Sequence, residues 1–353
     1  MKSLIIVPTF EQTLITLPRY FLTSLCFIVF IKCSFCQNEG RYSKDSIALS
    51  KIGEMQIALD TNERFERGLA FPFRSIRIAD VRFDTTHIGM YASFSRIFIP
   101  TIKNYKINCK NGAGSSLSIY FNKYFEKNLG SGDIELVCFL KRLSVVKRDT
   151  LIDNVSLTRT YGQVNFTTEV FLRSGNEFYA VFKIDTVLIE SIGLKKKEIV
   201  DEIKEYLLLP VLKIMQNKIS STSWDKIMKK KSFSESVVYG NYFNNRFRLP
   251  ILTQQYKKGI YKSFSEFKNN APSVSAFKVK KGKSGSVSLI DKEGNYVATI
   301  KMFGFSDGKR CWILKGDFCY PLIRTGNSFE FFVTTANNLK ILFAFDMEMG
   351  DVR

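Results

Sequence analysis

Apolar and polar positions along the chain fall into two periodicities, and their order predicts the elements. Ser75–Ile78 alternates with the two-residue period of a strand and runs on into Val81–Asp84, with a slip of phase that predicts a bulge near Asp80. Gly112–Ser116 opens into a segment whose apolar residues Leu117, Tyr120, Phe121, Tyr124 and Phe125 keep helical spacing, closed by Gly130. Ser115 or Ser116 is the expected helix N-cap. Ile134–Lys141 is largely apolar on both faces, as in a central strand. Gln163–Arg173 and Glu177–Glu190 read as two long strands around a Ser174-Gly175-Asn176 turn. A helix from about Leu194 sets Ile199, Ile203, Tyr206 and Leu207 on one side. Pro210 has no N–H and clashes with the preceding turn, so it is expected to break or kink that helix before a second piece over Val211–Met215.

Ser220–Asn245 reads as a polar connection, with a domain junction at about residue 245. Beyond it, Ser263 and Glu266 form a capping box for a short helix that Asn269–Pro272 stops. From Ser275 to Phe345, turn signals recur at roughly 8–12 residues, the pattern of a meander or small barrel. The expected fold is α+β: a mixed sheet with two helices over 37–245, then an antiparallel β-meander or small barrel domain over 246–353.

Composition supports a packed protein. Of 353 residues, 45% are apolar and 32 are phenylalanine, which excludes wholesale disorder. The start of the chain adds a location. Arg19 precedes the apolar run Tyr20–Ile31, which Lys32 ends; the run is short for a membrane span but suits the core of a signal peptide. Ser34 and Cys36 supply the small residues that a signal peptidase reads, so residues 1–36 are expected to be removed, with an uncleaved anchor as the alternative. Phe35 before Cys36 argues against lipidation. The expected destination is the periplasm or the outer-membrane periphery.

Charge then narrows the partners. The formal net charge is +19, and removal of residues 1–36 takes away three cations and one acid, leaving +17. Such a surplus points to nucleic acid or to an anionic surface, and export favours the second: anionic lipid, lipopolysaccharide or an acidic glycan. Another envelope protein is a further candidate, peripheral membrane association is compatible, and no nucleic acid partner is expected. Lysines cluster at Lys195–Lys197, Lys229–Lys231 and Lys278–Lys283, which otherwise read as solvated faces and turns. Four cysteines follow the expected cleavage point, Cys109, Cys138, Cys311 and Cys319. Cys311 and Cys319 flank Lys315-Gly316-Asp317 and are candidates to face each other across a hairpin; the plain alternative for all four is a buried thiol.

The segment Gly259-Ile-Tyr-Lys-Ser-Phe-Ser-Glu-Phe-Lys-Asn-Asn-Ala-Pro-Ser273 resembles one common in uncharacterised exported proteins of the Bacteroidota, where it reads G-x-Y-x-S/T-F-x-E-F-x-x-N-x-P-S. Phe303–Arg310 and Tyr320–Leu322 are similar to the continuation in that group, an aromatic-G-aromatic-x-D-G run before a strand. Ser34–Gln37 looks like that phylum's S-F-A-Q leader end. The resemblance covers roughly 255–325 and implies export, with no activity attached. A fainter likeness, of topology only, links 70–220 to outer-membrane auxiliary lipoproteins.

No catalytic set stands out. A Ser-His-Asp triad or histidine-based metal site would have to use His87, the single histidine. It lies three residues after Asp84, with no nucleophile elbow in the chain, and reads as a turn residue near an Arg82 ion pair and an Asx-type turn. Gly112-Ala-Gly-Ser-Ser lacks the lysine of a P-loop. No catalytic residue, metal or cofactor is assigned. Tyr239, Tyr242, Arg246, Arg248, Tyr256, Lys257 and Tyr261 interleave rings with cations, as sugar stacking or a phosphate-rich surface would need, and are the binding candidates; otherwise they pack the junction between domains. The expected function is a non-catalytic binding or structural module for an anionic envelope component. The alternative is a carboxylate-dependent hydrolase acting on a glycan. A secreted effector of a eukaryotic parasite fits the Phe- and Lys-rich composition but not the motif.

Overall fold

A computed structural model describes residues 52–350, apart from 67, 69, 96–100, 153–156, 193–198, 283–285, 298 and 335–339. The expected leader and Lys195–Lys197 lie outside these residues.

The N-terminal half is a curled mixed sheet with helices. In chain order it contains β1 (Gly53–Ile57), β2 (Ser75–Asp80), β3 (Gly89–Ser95), β4 (Thr101–Cys109), α1 (Ala113–Tyr124), β5 (Glu135–Ile152), β6 (Leu157–Ser174) and β7 (Glu177–Ile192). Then follow α2 (Ile199–Glu202), α3 (Leu209–Ser221), α4 (Trp224–Ile227), β8 (Phe233–Ser234) and α5 (Glu235–Tyr239). The sheet order is β1-β4-β3-β5-β6-β7-β8, with β2 also on β5. β2 and β3 both run parallel to β5, β2 along its first residues and β3 near Val145–Val146. The hairpin around Ser174–Asn176 forms as expected, with Ser174 opposite Glu177 and Gly175 at φ +57°. β5 and β6 are far longer than the patterning indicates.

Burial explains the layout. One sheet face, with Ile76, Leu136, Cys138, Val164 and Leu172, packs under α1 and α3. α1 also finishes the free edge of β2: Asn122 accepts the Ile76 N–H at 2.9 Å and donates to its carbonyl at 2.6 Å, and Ser118 accepts the Ile78 N–H at 2.9 Å. A strand edge otherwise open to a stray partner is thereby satisfied within the chain.

Several local expectations are corrected. No bulge forms in β2 at Asp80; the strand ends there, and the irregularities sit at Leu140/Arg142 in β5 and opposite Val170/Phe171 in β7. The α1 N-cap is Gly112, at φ +78°, rather than Ser115 or Ser116; Ser116 instead turns inward and is buried. Pro210 does not break its helix. The turn before it, Ile203–Leu208, widens into a π-helix, which removes the demand for the missing Pro210 N–H, and α3 carries on. Ser220–Asn245 is more than a connection: Val238 of α5 packs with Val81, Val137, Phe139 and Phe178 on the outer sheet face.

The C-terminal half carries α6 (Pro250–Thr253), β9 (Gly259–Tyr261), α7 (Phe264–Lys268), β10 (Phe277–Lys281), β11 (Val287–Asp291) and β12 (Tyr296–Val297). It continues with β13 (Gly304–Ser306), β14 (Cys311–Lys315), β15 (Phe318–Pro321), β16 (Ile323–Thr325), β17 (Ser328–Thr334) and β18 (Lys340–Phe345). All pairings are antiparallel, in small sheets ordered β10-β11-β12, β15-β14-β13-β9 and β16-β17-β18. Tyr261, Phe267, Phe329, Phe331 and Phe345 form its aromatic core.

The motif Gly259–Ser273 works as a staple in this half. Ser263 accepts the Glu266 N–H at 3.2 Å and Glu266 accepts the Lys262 N–H at 2.7 Å, the reciprocal capping box. Asn270, fully buried at φ 48°, accepts from Tyr261 Oη at 2.9 Å and from Lys257 N at 3.0 Å, and donates to Gln255 O at 2.8 Å. A Cβ on Gly259 would lie 2.5 Å from Pro272 Cβ, so the glycine lets the two ends of the motif touch.

Candidate functional site

The two halves meet along a polar seam built on the loop between β2 and β3. Arg82 leaves the sheet after Asp80 and turns inward, 4% exposed, where its guanidinium grips both Asp80 oxygens at 2.8 and 2.7 Å. It also donates to His87 O at 2.8 Å and Leu143 O at 3.3 Å, which fixes the loop on β5. Asp84 forms the expected Asx-type turn, accepting from Thr86 N at 2.9 Å and Thr86 Oγ1 at 2.6 Å, while its other oxygen lies 3.0 Å from His87 Nδ1. Across the seam, Lys106 of β4 meets Glu330 of β17 at 2.6 Å, and Arg142 of β5 meets Asp346 at 2.7 Å. Asn104 donates to Lys340 O at 2.9 Å and accepts from Leu342 N at 3.1 Å. Ionised groups this far from water persist only when paired; Arg82 is matched within its own half by Asp80, while Lys106 and Arg142 are matched from the opposite half.

The candidates read from the sequence divide between this seam and the surface. Arg246 is a seam residue: it meets Glu348 Oε2 at 2.6 Å, donates to Val81 O at 2.7 Å and Lys141 O at 3.2 Å, and lies over the Phe83 ring at 4.7 Å. Tyr242 stacks on Phe139 with centroids 4.1 Å apart and donates its hydroxyl to Glu169. Burial works against a charge on Glu169, but Tyr242 and Lys141 outweigh it and hold that carboxyl below its ordinary value. Burial, followed by the bond to Glu169, pushes the Tyr242 hydroxyl up. Tyr239 accepts from Arg77 at 2.5 Å, and Tyr261 is buried in the aromatic core. Arg248 and Lys257 are exposed and Tyr256 is half-buried.

Tyr256 and Lys257 belong to a surface that one sequence window does not reveal. The loop Tyr256–Lys258 lies against the β13–β14 turn: a Cβ at Gly308 would come within 3.8 Å of both Lys258 Cβ and Tyr256 O. Asp307 bends that turn by accepting the Lys309 and Arg310 N–H groups at 2.7 and 2.8 Å. Lys257, Lys258, Lys309 and Arg310 are all exposed. Exposed Arg324 is near enough to the Tyr256 hydroxyl to favour its ionised form, although burial dominates and raises its pKa. Exposed Lys257, Lys258, Lys309 and Arg310 thus sit on two adjoining loops beside half-buried Tyr256, with Arg324 of β16 close enough to act on its hydroxyl. The sequence signal was the aromatic–basic string 256–262; the turn that completes the patch lies some fifty residues on.

The cysteines carry no hairpin disulfide. In the β14–β15 register Cys319 faces Leu314, and Cys311 points into the aromatic core while Cys319 points to the opposite sheet face, so a bridge is geometrically excluded. Burial pushes the Cys109 thiol up to about 11 and the Cys311 thiol up to about 12. A depression of about 420 Å³ between Arg64, Tyr124 and Gln216 is lined by one carboxylate, Glu66, where glycoside hydrolysis uses a facing pair. No described helix is long and apolar enough to cross a membrane. Compared with protein-family models, curated proteins and solved structures, the chain matches none.

Proposed function

We propose that the protein is an exported, non-catalytic binding module that rests on a phosphate-bearing lipid face of the cell envelope through its C-terminal basic surface. The observation that carries this reading is the convergence of Lys257, Lys258, Lys309, Arg310 and Arg324 about Tyr256. The seam supports it indirectly. Acids such as Asp80, Glu330, Asp346 and Glu348 are paired with inward-facing cations, so they do not offset the exposed lysines and arginines of a chain that carries +17 without residues 1–36. Each Lys or Arg close to an anionic leaflet contributes about 1 kcal/mol, and five acting together suffice for reversible docking that salt weakens.

The test uses residues 37–353, which retain every described element and lack the apolar leader that would itself partition into lipid. Vesicles containing phosphatidylglycerol are expected to pellet the protein and phosphatidylcholine vesicles are not. Lys257→Glu with Lys309→Glu should weaken pelleting by more than about tenfold, as the loss and reversal of two surface charges requires. Equal partition onto neutral vesicles, or indifference to the double substitution, contradicts the reading. Capture by polygalacturonate without capture by vesicles would replace lipid phosphate with an acidic glycan.

A further inference from the structure

The geometry points to a divalent-cation site in the seam, formed by Asp84, His87 and Glu330. One donor atom from each lies within 4.8 Å of the other two. Their side chains are 12%, 4% and 9% exposed, so the cluster is enclosed rather than a scatter of surface acids. Asp84 and His87 share a loop whose backbone Arg82 holds in place, while Glu330 arrives from β17 of the other half. One imidazole and two carboxylates suit a first-row cation with oxygen and nitrogen preference, Mn²⁺ above a thiolate-seeking ion. Bonds of roughly 2.0–2.2 Å set donors about 3–3.5 Å apart. His87 Nδ1 and Asp84 Oδ2, at 3.0 Å, already meet that spacing, and the three donor groups stay within 4.8 Å of one another, so side-chain adjustment alone brings Glu330 to them.

Lys106 is the competitor. Its ammonium, 2.6 Å from Glu330 and 20% exposed, occupies the position of positive charge that a cation would take, and its length lets it swing out to solvent. A bound cation would join the halves through coordination in place of that ion pair, so occupancy becomes a means of tightening the seam. Neither half holds the site alone.

Mn²⁺ titration of the full chain, followed by electron paramagnetic resonance, tests this without involving the thiols. One saturable Mn²⁺ per chain is expected, with nitrogen modulation of its spin echo from the His87 imidazole. Lys106→Met should bind Mn²⁺ several-fold more tightly, because the competing charge is gone. His87→Gln should lose the nitrogen signature and weaken binding by roughly 100-fold or more, given that even outer-shell partners are worth 10- to 100-fold. The wild-type nitrogen signature and the Lys106→Met result decide the matter even if His87→Gln folds poorly. Binding that does not saturate, that saturates without nitrogen modulation, or that Lys106→Met fails to tighten overturns the proposal.

Discussion

Arg246 separates a binding role from a structural one, and its replacement by methionine can be worked through from the seam. The substitution keeps most of the side-chain volume and its contact with Phe83, but removes the nearer of the two cations on Glu348, leaving Lys141 at 4.0 Å, and the donors to Val81 O and Lys141 O. Breaking a buried pair by deleting one member costs about 3–5 kcal/mol. The guanidinium is 10% exposed and Glu348 23%, so water relieves part of the loss, and the lower end, about 3 kcal/mol, is the better figure. At roughly 2–4 °C per kcal/mol for a domain of this size, the midpoint of thermal unfolding should fall by about 6–12 °C. Urea denaturation of residues 37–353 measures the change directly, and a double-mutant cycle with Glu348→Gln should return a coupling of about 1–3 kcal/mol. Anionic vesicle binding by the folded variant should match wild type, because Arg246 faces inward. A variant within about 0.5 kcal/mol of wild type that has lost vesicle binding would refute the structural reasoning and restore Arg246 to the surface.

Two further outcomes follow from the packing. Gly259→Ala drives a Cβ into Pro272 at 2.5 Å and should destabilise by about 1–3 kcal/mol in urea, whereas Gly294→Ala, whose Cβ meets nothing within 4 Å, carries only the cost of its positive φ. The lowered pKa of Glu169 makes its contribution to stability fully present above the unfolded carboxylate value of about 4.3 and lost as pH falls through the folded value. The advantage of wild type over Glu169→Gln should therefore hold at neutral pH and vanish in acid, and urea midpoints that differ equally at both ends would contradict this.

What the sequence shows, and what it hides, follows from how local each cause is. The Ser174–Asn176 hairpin and the Ser263–Glu266 capping box depend on residues within a few positions, so a short window reveals them. The fold class follows for the same reason, from runs of period two and period three to four. Pro210 is misleading because the remedy, a widened turn just before it, leaves no mark in the pattern. The alternation around Cys311 and Cys319 suggests a hairpin but does not fix its register, and one residue of register decides which face a thiol takes. Arg246 reads as surface because it sits in a string of rings and cations; its acid, Glu348, lies close to the chain's last residue. His87 likewise shows only Asp84 in sequence, while Glu330 comes from the opposite half of the molecule. Tyr256 and Lys257 are found by their string, but Lys309 and Arg310 need the fold to bring them near.

The most direct measurement of the central claim is the salt dependence of binding between residues 37–353 and phosphatidylglycerol vesicles, taken from about 0.05 to 0.5 M, across which the screening length shrinks several-fold. Engagement through the cations around Tyr256 predicts a steep loss of affinity with salt, and a slope made visibly shallower by Lys257→Glu with Lys309→Glu. A salt-independent affinity, or the same slope in the substituted chain, would contradict the account.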